Sequence, residues 1–338
     1  MGLIDTITGG FRIVQRRPWL ILLPVVVDLW LWLGPRLAIQ PFIDGLLALW
    51  TPANLPAELA QVVGPYRELL VSEGARFNLW WLVNNSLTWL RLVIPGLAEP
   101  AQLGAVAVQQ TPTLSLILWV PFLLVLGMGL GAAFLTAVTS QLRVIHPPQD
   151  AASGDEPAPP APGFWLGRGL RTWGLATLYG AIVIATLFAV TMLLSLVLAP
   201  VMLVAPQVAG GLTTLLALLL AWLMLWLYFM LYFVVAALVT DGVGLGQALW
   251  RSFNVVSRNF WPTLGLVILT TVILVGFGFI WQRLAIHSPG GTAVAIIGNA
   301  LLLTGLTAAR LLFYKDRSAR WLAAQASQNT VVRPPNNT

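Results

Sequence analysis

Asp28 is the one carboxylate well inside a long apolar run of this chain, in the stretch Pro24-Val-Val-Val-Asp28-Leu-Trp-Leu-Trp-Leu-Gly34-Pro35. A charge at the centre of a bilayer costs about 2.5–3.5 kcal/mol on insertion scales, so such a group faces a bundle interior or water, or carries a proton. Two chemistries stay open. Asp28 handles an ion or substrate in a polar cavity, or it makes a structural contact, with the carbonyl freed by Pro24 one turn earlier or with Asn299 on the last apolar run. Arg310, near the other end of that run, either snorkels to the interface or reaches Asp28 from about two helical turns away. A single carboxylate with no basic partner at its own depth makes a poor proton relay. No acid–base pair or metal-ligand group shares one depth, and no enzyme is expected.

The remaining reactive types are sparse. The chain has no cysteine, which excludes disulfides, thiolate nucleophiles and Cys-ligated metals, and its two histidines, His146 and His287, fall on separate loops. No metal and no cofactor is expected. The basic residues are arginines except for Lys315, scattered singly at the ends of apolar runs. Despite a pI near 10.5, nothing resembles a basic stripe interleaved with aromatics, so the expected partners are membrane lipids and no nucleic acid.

One segment concentrates basic charge beside aromatics, Gly246-Gln-Ala-Leu-Trp-Arg251-Ser252-Phe-Asn-Val-Val-Ser-Arg258-Asn-Phe-Trp261-Pro262. At 100° per residue Leu249, Phe253, Val256 and Phe260 share one face, and Arg251, Asn254 and Arg258 the other. The pattern predicts an interfacial helix over 244–260, with Arg251 and Arg258 at lipid phosphates. The preceding Gly242-x-Gly244-x-Gly246 lacks the strand and lysine of a phosphate loop and reads as a flexible exit.

What must position these residues is a set of six apolar stretches, at about 18–40, 112–140, 172–204, 209–240, 262–284 and 291–314. Each reaches the ~20 residues that a spanning helix needs. Hydrophobic residues make up 58% of the chain and charged residues 9%, with a mean hydropathy of +0.84; a soluble core of this size could not hide them. The fold class is all-α, a polytopic membrane bundle of about six transmembrane helices with interfacial amphipathic helices. The first run lacks a small-x-small cleavage site and reads as a retained helix rather than a signal peptide. Gly127, Gly129 and Gly131 form a small-residue face for close helix packing.

Six crossings with a cytoplasmic N-terminus place thirteen of the eighteen basic residues inside, the asymmetry expected of a multi-pass cell membrane protein with both termini cytoplasmic. The stretch Asn78–Pro95 alternates apolar and polar at helical spacing and reads as an amphipathic interfacial helix, with Trp80, Trp81 and Trp89 at headgroup depth. The organisation is then a cytoplasmic segment over 1–17, a first span over 18–40, an extracytoplasmic helical cap over 41–110 with a helix at 57–74, and a second span over 111–140. A flexible Pro/Ala-rich cytoplasmic linker follows over 141–171, densest at 147–163. A four-helix module over 172–314 carries the amphipathic helix, and 315–338 form a cytoplasmic tail, disordered after about 322.

Arg251-Ser252, Phe260-Trp261 and Phe313-Tyr314-Lys315-Asp316-Arg317 resemble the bacterial membrane-domain family found ahead of some glycerophosphodiester phosphodiesterases and in related stand-alone proteins of unknown function. The likeness covers about 165–320. It implies a six-helix module with an accessory, lipid- or envelope-associated role, assisting a membrane protein or enzyme supplied by another chain. It implies no phosphodiesterase activity, because that chemistry belongs to a soluble barrel this chain lacks. The alternative from the residues alone is a transporter or channel-like permease using Asp28 in a polar intramembrane cavity.

Overall fold

The computed structural model describes residues 2–49, 67–72, 74, 77–84, 90–97, 100–102, 107–145 and 162–332. The chain is an all-α polytopic bundle. Among the described residues five helical segments are long and apolar enough to cross a bilayer: Thr113–Leu142, Gly167–Val201, Gly210–Asp241, Phe260–His287 and Pro289–Gln325. Their outward faces carry large apolar side chains such as Leu118, Phe188, Leu196, Trp222 and Phe279, each more than half exposed. That surface is untenable in water and suited to lipid.

The first apolar stretch is shorter than its expected 18–40. A 3-10 turn at Pro18–Ile21 leads into α2 (Leu22–Leu33), which ends where Gly34 adopts extended backbone ahead of Pro35. Proline offers no N–H to continue the ladder and disfavours helical backbone at the residue before it. The helical run Pro18–Leu33 is about 24 Å long at 1.5 Å per residue, against a hydrocarbon core of ~30 Å.

The described chain divides into two compact units. The first comprises Met1–Ile13, Leu135–Thr270 and Leu306–Thr338; the second comprises Val14–Phe134 and Thr271–Gly305.

In the first unit, α1 (Leu3–Arg16) lies against the last two helices, since a Cβ on Gly9 would meet Leu312 at 3.2 Å and one on Gly265 would meet Leu3 at 3.7 Å. Two long helices, α5 (Pro162–Val204) and α6 (Pro206–Met230), are followed by the short, buried α7 (Val234–Asp241). Gly242, with φ of 65°, reverses the chain into α8 (Leu245–Arg258). A left-handed residue after a helix end favours glycine. The beginning of α9 (Phe260–His287) and the end of α10 (Pro289–Val332) complete the unit. Phe233 and Phe313 stack in its core with ring centroids 5.7 Å apart.

The second unit holds α2, α3 (Gln40–Leu49), most of the upstream part of α4 (Leu116–Ile145), and the remainders of α9 and α10. A two-stranded parallel ladder pairs β1 (Arg36–Ala38) with β2 (Val108–Gln110), so the long insertion opens and closes at one place. Leu37, Leu79, Val83 and Leu123 form a local core with Trp80 and Trp119 packed on it.

Three expectations change here. Residues 78–95 do not form an amphipathic helix: a 3-10 turn spans Leu79–Val83 and another Ile94–Gly96, joined through non-helical backbone at 90–93, with 85–89 outside the described residues. Asn78 and Asn84 divert backbone N–H groups to their side chains and Pro95 blocks continuation, which together defeat the helical period. The linker is shorter than 141–171, because α4 runs to Ile145 and α5 begins at Pro162; residues 147–161 lie outside the described chain. The tail is helical to Val332 where disorder was expected after about 322. Of the helix expected at 57–74, positions 67–72 and 74 are described and are helical.

Candidate functional site

In the second unit the polar residues converge on a stretch of backbone that has no helix to satisfy it. Asp28 is fully buried. Its Oδ2 accepts the N–H of Val93 and its Oδ1 the N–H of Ile94, both at 3.1 Å. Asn84 Oδ1 accepts the N–H of Leu92 at 2.9 Å, and Asn299 Nδ2 donates to the carbonyl of Arg91 at 3.1 Å. Four consecutive residues, 91–94, are thus held by three side chains. Asn78 Oδ1 does the same for the N–H groups of Leu37 and Trp80.

The position of this backbone explains why it needs such partners. Gly127 lies in the middle third of α4, and a Cβ there would meet the carbonyl oxygen of Val83 at 2.5 Å and its Cα at 2.9 Å. The segment expected to rest on the outer surface therefore lies against the middle of a span. Irregular backbone at that level is tolerated where protein covers it and satisfies its N–H and C=O groups. Leu92, Val93 and Ile94 are buried, so water does not supply the bonds to their N–H groups, whereas Arg91 is itself exposed. Asp28 and Asn299 meet through that segment, each on its backbone, rather than through a direct contact with each other. The carbonyl freed by Pro24 is not what Asp28's two oxygens hold.

The first unit repeats the device where a span breaks. The helix stops after Met230 and restarts at Val234. Ser252 Oγ accepts the N–H of Phe233 at 3.0 Å and donates to the carbonyl of Met230 at 2.9 Å. Arg310 Nη2 donates to the carbonyl of Tyr232 at 2.7 Å, with its guanidinium carbon 3.3 Å from the Tyr232 ring centroid. Arg310 is only 9% exposed. It neither snorkels nor is needed by Asp28, whose oxygens have the partners named above.

The basic helix departs from its expected role at one arginine. Arg251 pairs with Asp241 at 2.5 Å, and Tyr314 donates to the same carboxylate oxygen at 2.7 Å. With its side chain 22% exposed, Arg251 is a strut between α8 and α7 rather than a headgroup contact. Arg258 is exposed. The face turned into the protein is Ala248, Ser252, Val255 and Val256, while Phe253 and Phe260 are exposed beside Trp250 and Trp261, where an interfacial helix presents apolar side chains to lipid. Ser252 faces inward, where two backbone groups require it.

Sequence reasoning missed Asn78, Asn84, Ser252 and Asp241 as partners. A signal existed in Asn78, Asn84 and Asn85 set among tryptophans, which mark polar groups held within an apolar segment. Among the described residues no group of three or more His, Asp or Glu side chains could hold a metal ion. Comparisons with family models, curated proteins and solved structures find no match to this chain.

Proposed function

We propose that this multi-pass membrane protein is a non-enzymatic accessory module of the cytoplasmic membrane, one that presents a lipid-associated surface or supports a partner protein rather than conducting a solute. The observation that carries the proposal is the state of Asp28. A permease of the kind considered above requires that carboxylate in a cavity open to water. Here it is wholly buried, with both oxygens committed to backbone N–H groups.

The family resemblance supports the same proposal. Its residues Arg251, Ser252 and Tyr314 have structural occupations in one junction, as suits a scaffold. For orientation, α1 lies beside Leu312 and Gly265, and α9 and α10 are successive helices joined at Ser288, so the start of α9 and the later part of α10 share a side. The N-terminal helix then belongs with the helical tail, and the 18–33 run supplies the sixth passage that five long helices lack. The distribution of arginines supports a cytoplasmic location for both termini.

The test is flux. Proteoliposomes carrying the chain should dissipate an imposed proton or sodium gradient no faster than empty vesicles. A flux that requires the protein and is abolished by Asp28→Asn would replace this proposal with the permease.

A further inference from the structure

A cavity of about 420 Å³ in the first unit is lined by Gly167, Arg168, Arg171, Thr172, Leu175, Leu238, Asp241, Gly242 and Val243. Its size suits a small polar ligand or headgroup. On α5, Arg168, Arg171, Thr172 and Leu175 follow one another at helical spacing and so share one stripe. Opposite them stand the end of α7 and the Gly242 turn.

The charge of this cavity favours an anion. Arg168 Nη2 donates to the carbonyls of Val239 and Thr240 at 2.6 and 2.7 Å, which fixes the guanidinium against the last turn of α7. A Cβ on Gly242 would make ordinary contact with this guanidinium, at 3.7 Å. Arg171 is exposed at the cavity wall. The one acid in the lining, Asp241, is paired with Arg251 and hydrogen-bonded by Tyr314. Val243 immediately precedes Gly244, the N-cap of the 14-residue α8, whose first N–H groups have no side-chain cap. Two guanidinium groups beside the positive end of a helix form a surface for a phosphate, which guanidinium groups bind in paired hydrogen bonds.

We propose that this cavity binds the phosphate of an anionic ligand, with the headgroup of an acidic membrane lipid as its nearest source and a soluble phosphate ester as the other. The candidate spans begin at Gly167 and end at Asp241, both of which line the cavity, so it opens at the ends of two spans, where lipid phosphates lie. The inference rests on the membrane-module proposal for that depth. Release of the chain by alkaline carbonate would defeat the module proposal, whereas the binding measurement below addresses the cavity itself.

The probe is radiolabelled dihexanoyl-phosphatidylglycerol, titrated onto the full chain in nonionic detergent, with dihexanoyl-phosphatidylcholine as the zwitterionic comparison. Phosphatidylglycerol should bind about tenfold more tightly than phosphatidylcholine, and Arg171→Gln should weaken it by about tenfold, the loss of one charge-assisted contact. Gly167→Phe keeps both arginines and fills open space, since a Cβ there meets nothing within 4 Å; it should block binding with helicity retained. Arg283→Gln, at an exposed arginine outside the cavity lining, should leave affinity within about twofold. Competition by millimolar glycerol phosphate or inorganic phosphate assigns the site to a soluble anion, and no competition assigns it to lipid; both uphold a phosphate site. Equal binding of the two lipids, wild-type affinity in Arg171→Gln and Gly167→Phe, or an equal loss in Arg283→Gln would overturn it.

Discussion

Asn299 donates its side-chain amide to the carbonyl of Arg91, 208 residues earlier in the chain and 3.1 Å away. With Asp28 and Asn84 on the adjacent N–H groups, it makes a clamp whose object is backbone. The polar residues inside this protein's apolar helices act as the missing partners of irregular segments, and the following outcomes are expected from that role.

Asp28→Asn retains one acceptor oxygen and turns an amide N–H₂ toward a second N–H. One of Val93 or Ile94 then loses its partner in a buried place, at a cost of about 1–3 kcal/mol. A lower thermal midpoint in detergent, with the protein still inserted, is the expected reading of a fluorescence melt. An unchanged midpoint would show that one of the two bonds contributes nothing.

Asn299→Ala strips the part-buried Arg91 carbonyl of its donor and should cost about 0.5–1.5 kcal/mol. Because both side chains hold the same four residues, the double variant with Asp28→Asn should lose less than the sum of the single losses, by about 0.5 kcal/mol or more. Strict additivity in the same melts would mean two independent contacts.

Gly127→Ala improves helix propensity yet should destabilise, because the new Cβ would sit 2.5 Å from the Val83 carbonyl oxygen. Overpacking of this kind costs about 1–3 kcal/mol. Gly276→Ala, with nothing within 4 Å, serves as the comparison and should be neutral or stabilising by roughly 0.5–1 kcal/mol. The sign difference between the two is what the melts must show.

Ser252→Ala leaves the Phe233 N–H and the Met230 carbonyl without their partner at once, whereas Tyr314→Phe removes one bond to an Asp241 that keeps Arg251. The serine variant should therefore be the worse of the two, by about 1 kcal/mol or more. Ordering the variants by resistance to limited proteolysis checks this, and the reverse ranking would place the load on Asp241.

For topology, single cysteines introduced into this cysteine-free chain at Ser153 and Ser327 should react with an impermeant thiol reagent only after the cytoplasmic side is opened, and one at Ser72 from outside. Labelling of Ser153→Cys from outside would invert the orientation.

The sequence made the spans legible because apolar length is a property of the chain itself. It also picked out Asp28, Asn299 and Arg310 by residue type. It could not name their partners, because those are N–H and C=O groups of residues 91–94 and of Tyr232, which every residue type carries alike. The first span was overcounted for a related reason: apolarity continues through Leu37, Ala38 and Ile39 after the helix has stopped at Gly34-Pro35. On α8 the apolar period marks the side chains suited to lipid, but the inward place of Ser252 is set by the Phe233 N–H and the Met230 carbonyl, which the period does not show.

The most direct test of the clamp is the reactivity of a single cysteine at Val93, a buried position whose backbone N–H is retained by the substitution. With Asp28 and Asn299 intact, Val93→Cys should resist an impermeant maleimide in membranes opened to both sides, and adding Asp28→Ala should raise its labelling rate by about tenfold or more, as loss of ~1.4 kcal/mol of local closure would do. Rapid labelling of Val93→Cys with the clamp intact would contradict the account and place Asp28 beside water.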